Sequence, residues 1–369
     1  MLPDSTLRQT IRVSLSARWI RLRISNAFGG SELGVARVCV AQPAGGRTGV
    51  SAIEAGTSRA VTFAGRPGVA VAPGADAVSD PVDFPVRAAD SVAVTMYLAA
   101  GQPAAEGVTA HPGSRTTSYL TAGDHVADPL LPRAVPVDHW YLLGALEACA
   151  PVGQRVAAAV ILGDSLTDGR GSTTNGNDRW PDQLLDLMRS RGDDARISLL
   201  NQGIGGNRVL GDGLGPAVLA RLNRDALAVA GVRWLVVFAG VNDIGAVDPT
   251  NAAQRQVAAD LCAAYERIAG EARAAGIGVY GATLTPFGGN EPYDDPAGHR
   301  EAARQSVNAW IRAGHGFDAV LDFDQAVRDP LQECRVKPAF DSGDHLHLNP
   351  AGYRALAGAV PIGWPERLQ

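Results

Sequence analysis

The chain has 369 residues, a formal net charge of −5, and 46% hydrophobic against 19% charged residues. This composition is typical of a globular protein that is long enough for two domains, each with its own core. The mildly acidic balance and the lack of a basic stretch argue against nucleic acid as a partner. No apolar run reaches about 18 residues, so we expect no membrane span.

The first domain, predicted over residues 1–150, carries alternating polar and apolar side chains. The alternation runs through residues 10–15, 19–25 and 91–98, and clusters of Gly, Pro and Asn bound these stretches. A period of two indicates half-buried antiparallel strands. We therefore predict a β-rich domain resembling a sandwich or jelly roll, in which residues 65–81, rich in Gly, Ala and Pro, form a loop.

The four cysteines give little indication of a structural role. They are widely spaced and form neither a metal-binding pattern nor a dense disulfide framework. We expect free buried thiols, with one disulfide bridge left open for an exported protein. The cysteines are Cys39, Cys149, Cys262 and Cys334.

The second domain, predicted over residues 151–369, alternates strands with helices. Short apolar runs predict the strands, and amphipathic stretches predict the helices. The predicted strands span residues 157–162, 197–200, 234–238, 278–284 and 319–323, and the predicted helices begin near residues 180, 216, 251 and 297. This alternation indicates a doubly wound α/β fold with a five-stranded parallel sheet and helices on both of its faces.

A serine flanked by glycines follows the first of these strands, where residues 163–169 read GDSLTDG. The glycines permit a sharp turn that projects Ser165 above the edge of the sheet. Polar segments also follow the next two strands: residues 201–208 read NQGIGGNR, and residues 238–245 read FAGVNDIG. Because ligands bind at the carboxyl ends of parallel strands, these segments indicate a site at that edge.

Sequence motifs for cofactors and metals are missing. There is no G-x-x-x-x-G-K-[ST] phosphate loop, no H-E-x-x-H pair and no C-x-x-C pair. Residues 203–208 have Arg208 where a dinucleotide fingerprint needs its third glycine. The sequence therefore predicts no cofactor and no metal.

Near the C-terminus, residues 341–353 read DSGDHLHLNPAGY. Together with the three earlier segments, and in this order, they resemble the four sequence blocks of the GDSL or SGNH hydrolase family over residues 155–360. In finer detail the chain resembles the arylesterase and acetylxylan-esterase-like branch, which often carries a β-rich region before the serine block. The resemblance implies a flavodoxin-like three-layer SGNH fold and ester hydrolysis at a serine. It also favours a secreted or periplasmic protein, although the chain as given shows no signal peptide.

The residue types in these blocks also fit a catalytic triad. Ser165 needs a base to become a nucleophile, and His347 suits that role because the pKa of a histidine ordinarily lies near neutrality. Asp344 lies three residues earlier, so that its carboxylate can orient the imidazole. His345 lacks this Asp-x-x-His spacing. In the alternative, structural interpretation, Asp344 is a turn residue and His347 is a surface histidine.

The resemblance implies three donors for an oxyanion hole: the backbone N–H groups of Ser165 and Gly206 and the side-chain amide of Asn242. A glycine lets the backbone approach the substrate closely, and an asparagine amide carries two N–H donors. Gly205 is the adjacent alternative, and Asn242 could instead only cap the turn after its strand.

The sequence therefore predicts a serine carboxylic ester hydrolase that forms an acyl-enzyme. The resemblance implies short, acetyl-like acyl groups on a small-molecule or carbohydrate substrate, such as a sugar acetate, a xylan acetate or an aryl ester. A lysophospholipase or thioesterase would use the same residues and stays open. The alternative of another class is a carbohydrate-binding protein with an inactive hydrolase domain, against which the intact set of Ser165, Asp344 and His347 argues. The oligomeric state is left open.

Overall fold

The computed structural model describes residues 2–103, 107–149, 155–192, 196–361 and 363–364. The chain divides into two compact units. The first comprises Met1–Arg155 and Thr174–Gly176, and the second comprises Val156–Thr173 and Asn177–Gln369. The domain boundary predicted between residues 150 and 151 lies outside the described residues.

The first unit consists of antiparallel strands, which confirms the predicted β-rich region. In the described part of the chain these are β1 (Ser5–Arg12), β2 (Ala17–Ser25), β3 (Leu33–Val35), β4 (Arg37–Ala41), β5 (Arg59–Val61), β6 (Val69–Val71), β7 (Asp76–Val78), β8 (Val82–Val86), β9 (Ser91–Leu98), β10 (Ala110–His111), β11 (Ser118–Ala122), β12 (Val135–Val137), β13 (Trp140–Tyr141) and β14 (Leu143–Cys149), with a short 3-10 helix at Ala44–Gly46. One sheet has the order β12-β11-β1-β9-β4-β5, and another has the order β14-β2-β7, with β8 also paired to β2. In addition, β3 pairs with β6 and β10 pairs with β13.

Strand β2 shows how the alternation of the sequence becomes the core of this unit. Ile20, Leu22 and Ile24 are fully buried in the hydrophobic cluster. Arg21 and Arg23 project from the opposite face and bind a glutamate of β14, each at 2.6 Å. One face of the strand is therefore apolar and buried, and the other is polar, as a half-buried antiparallel strand requires.

The prediction of a loop over residues 65–81 is wrong, because this stretch contains strands β6 and β7. Strand β6 pairs with β3, and β7 pairs with β2. Each of the two strands is three residues long, too short for its own alternation to be recognised. Their pairing depends on partners that are distant in sequence, which local composition does not reveal.

The second unit is an α/β fold around a parallel sheet, which confirms the predicted architecture. Its strands in the described residues are β15 (Ala157–Gly163), β16 (Ile197–Gly203), β17 (Val232–Phe238), β18 (Gly278–Ala282) and β19 (Ala319–Leu321). Its helices there are α1 (Ser165–Asp168), α2 (Trp180–Arg191), α3 (Val218–Leu222), α4 (Val241–Ala246), α5 (Asn251–Ala274), α6 (His299–Arg312), α7 (Phe323–Val327) and α8 (Pro350–Ala359), and α3 continues into a π-helical turn at Asn223–Leu227.

The order of the parallel sheet, β16-β15-β17-β18-β19, places the predicted site residues. The chain passes from β15 to β16 on one side and then to β17 on the other side of β15. In open α/β sheets, ligands bind at the carboxyl ends of the strands where the order reverses in this way. Ser165, Gly206 and Asn242 each follow one of these three strands.

Two further features of the described residues concern the membrane and the cysteines. No helix there is long and apolar enough to span a membrane. The four cysteines are free thiols, but only Cys39 is buried as predicted, since the other three are half-buried.

A buried ion pair joins helices α6 and α7. Arg304 donates to Asp324 at 2.6 Å, and both side chains are fully buried. Arg312 and Arg328 also approach the same carboxylate, at 2.6 and 3.4 Å. Removing one member of a buried pair leaves an uncompensated charge inside the protein, which is far more costly than losing an exposed pair.

We therefore expect Asp324→Ala to lower the free energy of unfolding by about 3–5 kcal/mol. The matched control is Glu271→Ala, which removes the exposed partner of Arg267 on α5 and should cost about 0.3–0.5 kcal/mol. Urea-induced unfolding of the two variants and the wild type measures the difference. Equal, small losses in both variants would show that the buried pair contributes little.

Candidate active site

The short helix α1 positions Ser165 directly after β15. Asp164 caps this helix, because its Oδ1 accepts a hydrogen bond from the backbone N–H of Leu166 at 2.9 Å. Ser165 is the first residue of α1 and is 6% exposed. Since the first N–H groups of a helix have no acceptor within it, the Ser165 N–H takes no part in the hydrogen bonds of α1.

His347 lies next to this serine although it is 182 residues away in the sequence. The Ser165 Oγ and the His347 Nε2 are 2.7 Å apart, and the His347 Nδ1 is 2.6 Å from the Asp344 Oδ2. In a neutral ring, the Nδ1–H donates to the carboxylate and the Nε2 accepts from the serine hydroxyl. The structure thus joins the three residues predicted as a triad in one hydrogen-bonded path.

The Asp-x-x-His spacing produces this geometry through local backbone bonds. The Asp344 Oδ1 accepts from the backbone N–H of His347 at 2.8 Å and of Leu346 at 3.1 Å. The same carboxylate therefore holds the backbone with one oxygen and the imidazole with the other. A spacing of three residues is long enough for the chain to fold back and short enough to fix the ring.

The environment of Asp344 keeps its carboxylate ionised. Burial opposes ionisation and is the largest single effect. The hydrogen bonds from the backbone and ring of His347, the charge of that ring, and the Leu346 N–H together outweigh it, and they lower the pKa of Asp344 to about 2. Asp344 is therefore anionic throughout the neutral range.

His345 is part of a separate pair with Asp341, which the sequence analysis did not predict. Its side chain is 50% exposed, and its Nδ1 is 2.6 Å from the Asp341 Oδ2. The ring of His347, by contrast, is almost fully buried against Ser165. The two histidines of the segment are thus distinguished by burial and by their partners.

Gly206 lies in a turn that only glycine fits well. Its φ is +70°, and a Cβ at this position would lie 2.6 Å from the Leu214 Cδ1. The adjacent Gly205 donates its N–H to the Asp168 Oδ2 at 3.0 Å. Because this bond already uses the Gly205 N–H, it favours Gly206 as the glycine that donates to a substrate.

The side chain of Asn242 is held by two hydrogen bonds and is 5% exposed. Its Nδ2 donates to the carbonyl of Asn207 at 2.9 Å, and its Oδ1 accepts from the hydroxyl of Tyr293 at 2.8 Å. The bond to Asn207 uses one of the two N–H groups of the amide. Sequence reasoning missed Tyr293, since it lies in the turn after β18 and in none of the four segments.

Sequence reasoning also missed Arg221, which binds the carboxyl ends of β15 and β16. Its buried guanidinium donates to the carbonyls of Gly163 at 3.1 Å and Gln202 at 2.8 Å. It also donates to the side-chain oxygen of Asn207 at 2.9 Å. Burial lowers the pKa of Arg221, and the charge of Asp225, 3.1 Å away, opposes this effect.

Two further buried acids hold the loops of the site. Burial raises the pKa of Asp164 to about 7, and the charges of Asp243 and Asp168 add to this effect. Burial also raises the pKa of Asp243, although its carboxylate accepts from the backbone N–H of Val209 at 2.8 Å. In the residues that the structure describes, no group of three or more His, Cys, Asp or Glu could hold a metal ion.

The chain is similar to one protein family and to several solved structures. The model of the GDSL-like lipase/acylhydrolase family matches residues 161–355. No curated protein matches the chain. Among solved structures, the chain is similar to a lipase/acylhydrolase from Enterococcus faecalis, with 20% identity and a TM-score of 0.41 over 56% of this chain and 93% of that one. It is also similar to Axe2, an acetylxylan esterase from Geobacillus stearothermophilus, with 21% identity and a TM-score of 0.41 over 56% of this chain and 92% of that one. A GDSL-like lipase from Bacteroides thetaiotaomicron is similar with 16% identity and a TM-score of 0.38 over 55% of this chain and 85% of that one.

The hydrogen-bonded path predicts a pH dependence of ester hydrolysis. kcat/KM should fall as the pH is lowered and His347 becomes protonated, because only the neutral imidazole accepts the serine proton. Asp344, with its pKa of about 2, should not contribute to this decrease. Asp344→Asn should lower kcat by about 10⁴-fold with the fold intact, since it presents the wrong tautomer. Hydrolysis of p-nitrophenyl acetate as a function of pH measures both effects.

Two controls separate this effect from neighbouring groups. Asp341→Asn alters the matching pair of the exposed His345 and should leave the rate unchanged. Asp164→Asn removes the acid that titrates near neutrality, and the decrease at low pH should persist in this variant. Inactive Asp341→Asn together with active Asp344→Asn would assign the reaction to the other histidine.

Proposed function

We propose that this chain acts through an acyl-enzyme formed on Ser165. The chain belongs to the GDSL-like lipase/acylhydrolase family and is a carboxylic ester hydrolase. The observation that carries the proposal is the path from the Ser165 Oγ to His347 at 2.7 Å and from His347 to Asp344 at 2.6 Å. A serine hydroxyl becomes an effective nucleophile only with an oriented base beside it.

The reaction proceeds in two halves. The Ser165 Oγ attacks the ester carbonyl while the His347 Nε2 takes its proton, and Asp344 stabilises the resulting imidazolium. The tetrahedral intermediate collapses, and the alcohol leaves with the proton from His347. Water then attacks the acyl-enzyme, again giving its proton to His347, and the carboxylic acid is released as Ser165 regains its hydrogen.

Three N–H donors are proposed to stabilise the negative charge on the carbonyl oxygen. They are the backbone groups of Ser165 and Gly206 and the second N–H of the Asn242 amide. The role of the Ser165 N–H is supported by the position of Ser165 as the first residue of α1. The role of the Gly206 N–H is supported by the hydrogen bond from Gly205 to Asp168, which leaves Gly206 as the glycine to donate. Loss of one such donor typically costs about 2.7–4 kcal/mol of transition-state stabilisation.

The substrates we propose are esters with short, acetyl-like acyl groups on a carbohydrate or aryl alcohol. Ser165, Asn242 and His347 are each no more than 6% exposed. Because these side chains are buried, the acyl group has to enter the protein surface to reach the Ser165 Oγ, which favours a small acyl group. Leu214, in contrast, is 85% exposed and lies against Gly206, so it offers an apolar surface beside a proposed oxyanion donor.

Ser165→Ala should lower ester hydrolysis by up to about 10⁶-fold, the scale of loss when a serine nucleophile is removed. A fluorophosphonate probe should label the wild type at Ser165, as located by mass spectrometry, and should not label the variant. Ser190→Ala, a matched change on the exposed surface of α2, should retain full activity and labelling. Retained turnover in Ser165→Ala, with label on another serine, would overturn the proposal.

Leu214→Ala should raise KM for aryl and longer acyl esters by roughly three- to tenfold with little change in kcat, because contact with a leucine side chain is worth up to about 1.5–3 kcal/mol. Leu331→Ala provides the control, since Leu331 is 91% exposed in the turn after α7. A p-nitrophenyl ester series of increasing acyl length and a set of small alkyl acetates provide the measurement. An unchanged KM across both series would mean that Leu214 does not contact the substrate.

A further inference from the structure

We propose that residues 287–294, the turn segment between β18 and α6, form a positioning element of the active site. The segment reaches two of the proposed functional residues from one short stretch of chain. Tyr293 binds the side chain of Asn242, and Asn290 binds the backbone of Asp344. This inference rests on the roles proposed above for Asn242 and Asp344.

The hydrogen bonds of Asn242 determine which way its amide faces. The carbonyl of Asn207 can only accept, so the Asn242 Nδ2 must face it, at 2.9 Å. The Oδ1 then faces Tyr293, whose hydroxyl must be the donor, at 2.8 Å. With both ends held, the plane of the amide is fixed, and so is the direction of its second N–H. Burial raises the pKa of Tyr293, which keeps the hydroxyl protonated as this role requires.

Packing around the tyrosine ring supports a fixed position for this hydroxyl. The ring lies against Gly245, one turn after Asn242 on α4, so closely that a Cβ there would collide with it. Phe287 packs edge-to-face on the same ring, with centroids 6.1 Å apart. The Tyr293 N–H also donates to the carbonyl of Asn290 at 2.9 Å. The ring therefore has little freedom to rotate away from Asn242.

Asn290 extends the same segment to the other half of the site. Its Nδ2 donates to the backbone carbonyl of Asp344 at 2.8 Å, and its side chain is almost fully buried. Gly289, the preceding residue, donates to the Asp294 Oδ1 at 2.9 Å and so closes the turn on itself. Residues 287–294 thus set the position of the Asn242 amide relative to Asp344, through Tyr293 at one end and Asn290 at the other.

The test compares Tyr293→Phe, Asn242→Ala and the double variant in the full-length chain. Asn242→Ala should lower kcat by about 10²–10³-fold, and Tyr293→Phe by roughly tenfold with KM unchanged, because it loosens a donor without removing it. In the Asn242→Ala background, Tyr293→Phe should have no further effect, since the two residues act through one interaction. A merely structural role would instead give equal losses in both backgrounds.

Two further variants separate the position of the Tyr293 ring from the mere loss of a tyrosine hydroxyl. Gly245→Ala retains the hydroxyl but displaces the ring, and it should reproduce the kcat loss of Tyr293→Phe. Tyr97→Phe removes a hydroxyl bonded to Asp4 in the first unit and should leave kcat at the wild-type value. A wild-type kcat in Tyr293→Phe, or additive losses with Asn242→Ala, overturns the inference. Turnover that survives Ser165→Ala would instead overturn the proposed function, and this inference with it.

Discussion

The site depends on one buried guanidinium, that of Arg221, which ties together the carboxyl ends of β15 and β16. It reaches Gly163, Gln202 and the side chain of Asn207 at 2.8–3.1 Å. These three contacts lie on the segments that carry Ser165 and Gly206. Backbone carbonyls at a strand end need donors once they are buried, and a planar guanidinium can serve several of them at once. Arg221 thereby links the ends of two neighbouring strands, and this link stabilises the segments that follow them.

The fold and much of the site could be predicted because their signals are local. The apolar runs of the second domain became the five parallel strands, and the alternation around Ile20–Ile24 became a half-buried strand. The link between Asp344 and His347 is encoded in a spacing of three residues, and His345 could be set aside on the same ground. Contact of Ser165 with this pair was expected from the resemblance of the four segments to a family and not from strand positions, because Asp344 and His347 follow α7 and not a strand of the parallel sheet.

The parts that could not be predicted depend on contacts between distant segments. Tyr293 lies 51 residues beyond Asn242, and a tyrosine in a turn carries no chemical signature. Arg221 was hidden for a similar reason, because an arginine in a helical stretch is ordinarily exposed. Strands β6 and β7 were mistaken for a loop, since their pairing partners lie elsewhere. The proposal of Gly206 in place of Gly205 rests on Asp168, whose hydrogen bond with the Gly205 N–H no spacing reveals.

Two aspartates of the same site, Asp164 and Asp344, have pKa values shifted in opposite directions. Asp344 is half-buried, but it receives two backbone N–H bonds and faces an imidazole, and its pKa falls to about 2. Asp164, next to the serine itself, accepts one backbone N–H and lies near two other acids, so burial prevails and its pKa rises to about 7. An acid that loses its charge near neutrality cannot stabilise an imidazolium reliably at that pH. The different pKa values of the two aspartates therefore follow from donors and neighbouring charges, which the surrounding turns determine, and of the two only Asp344 fits the role proposed for it.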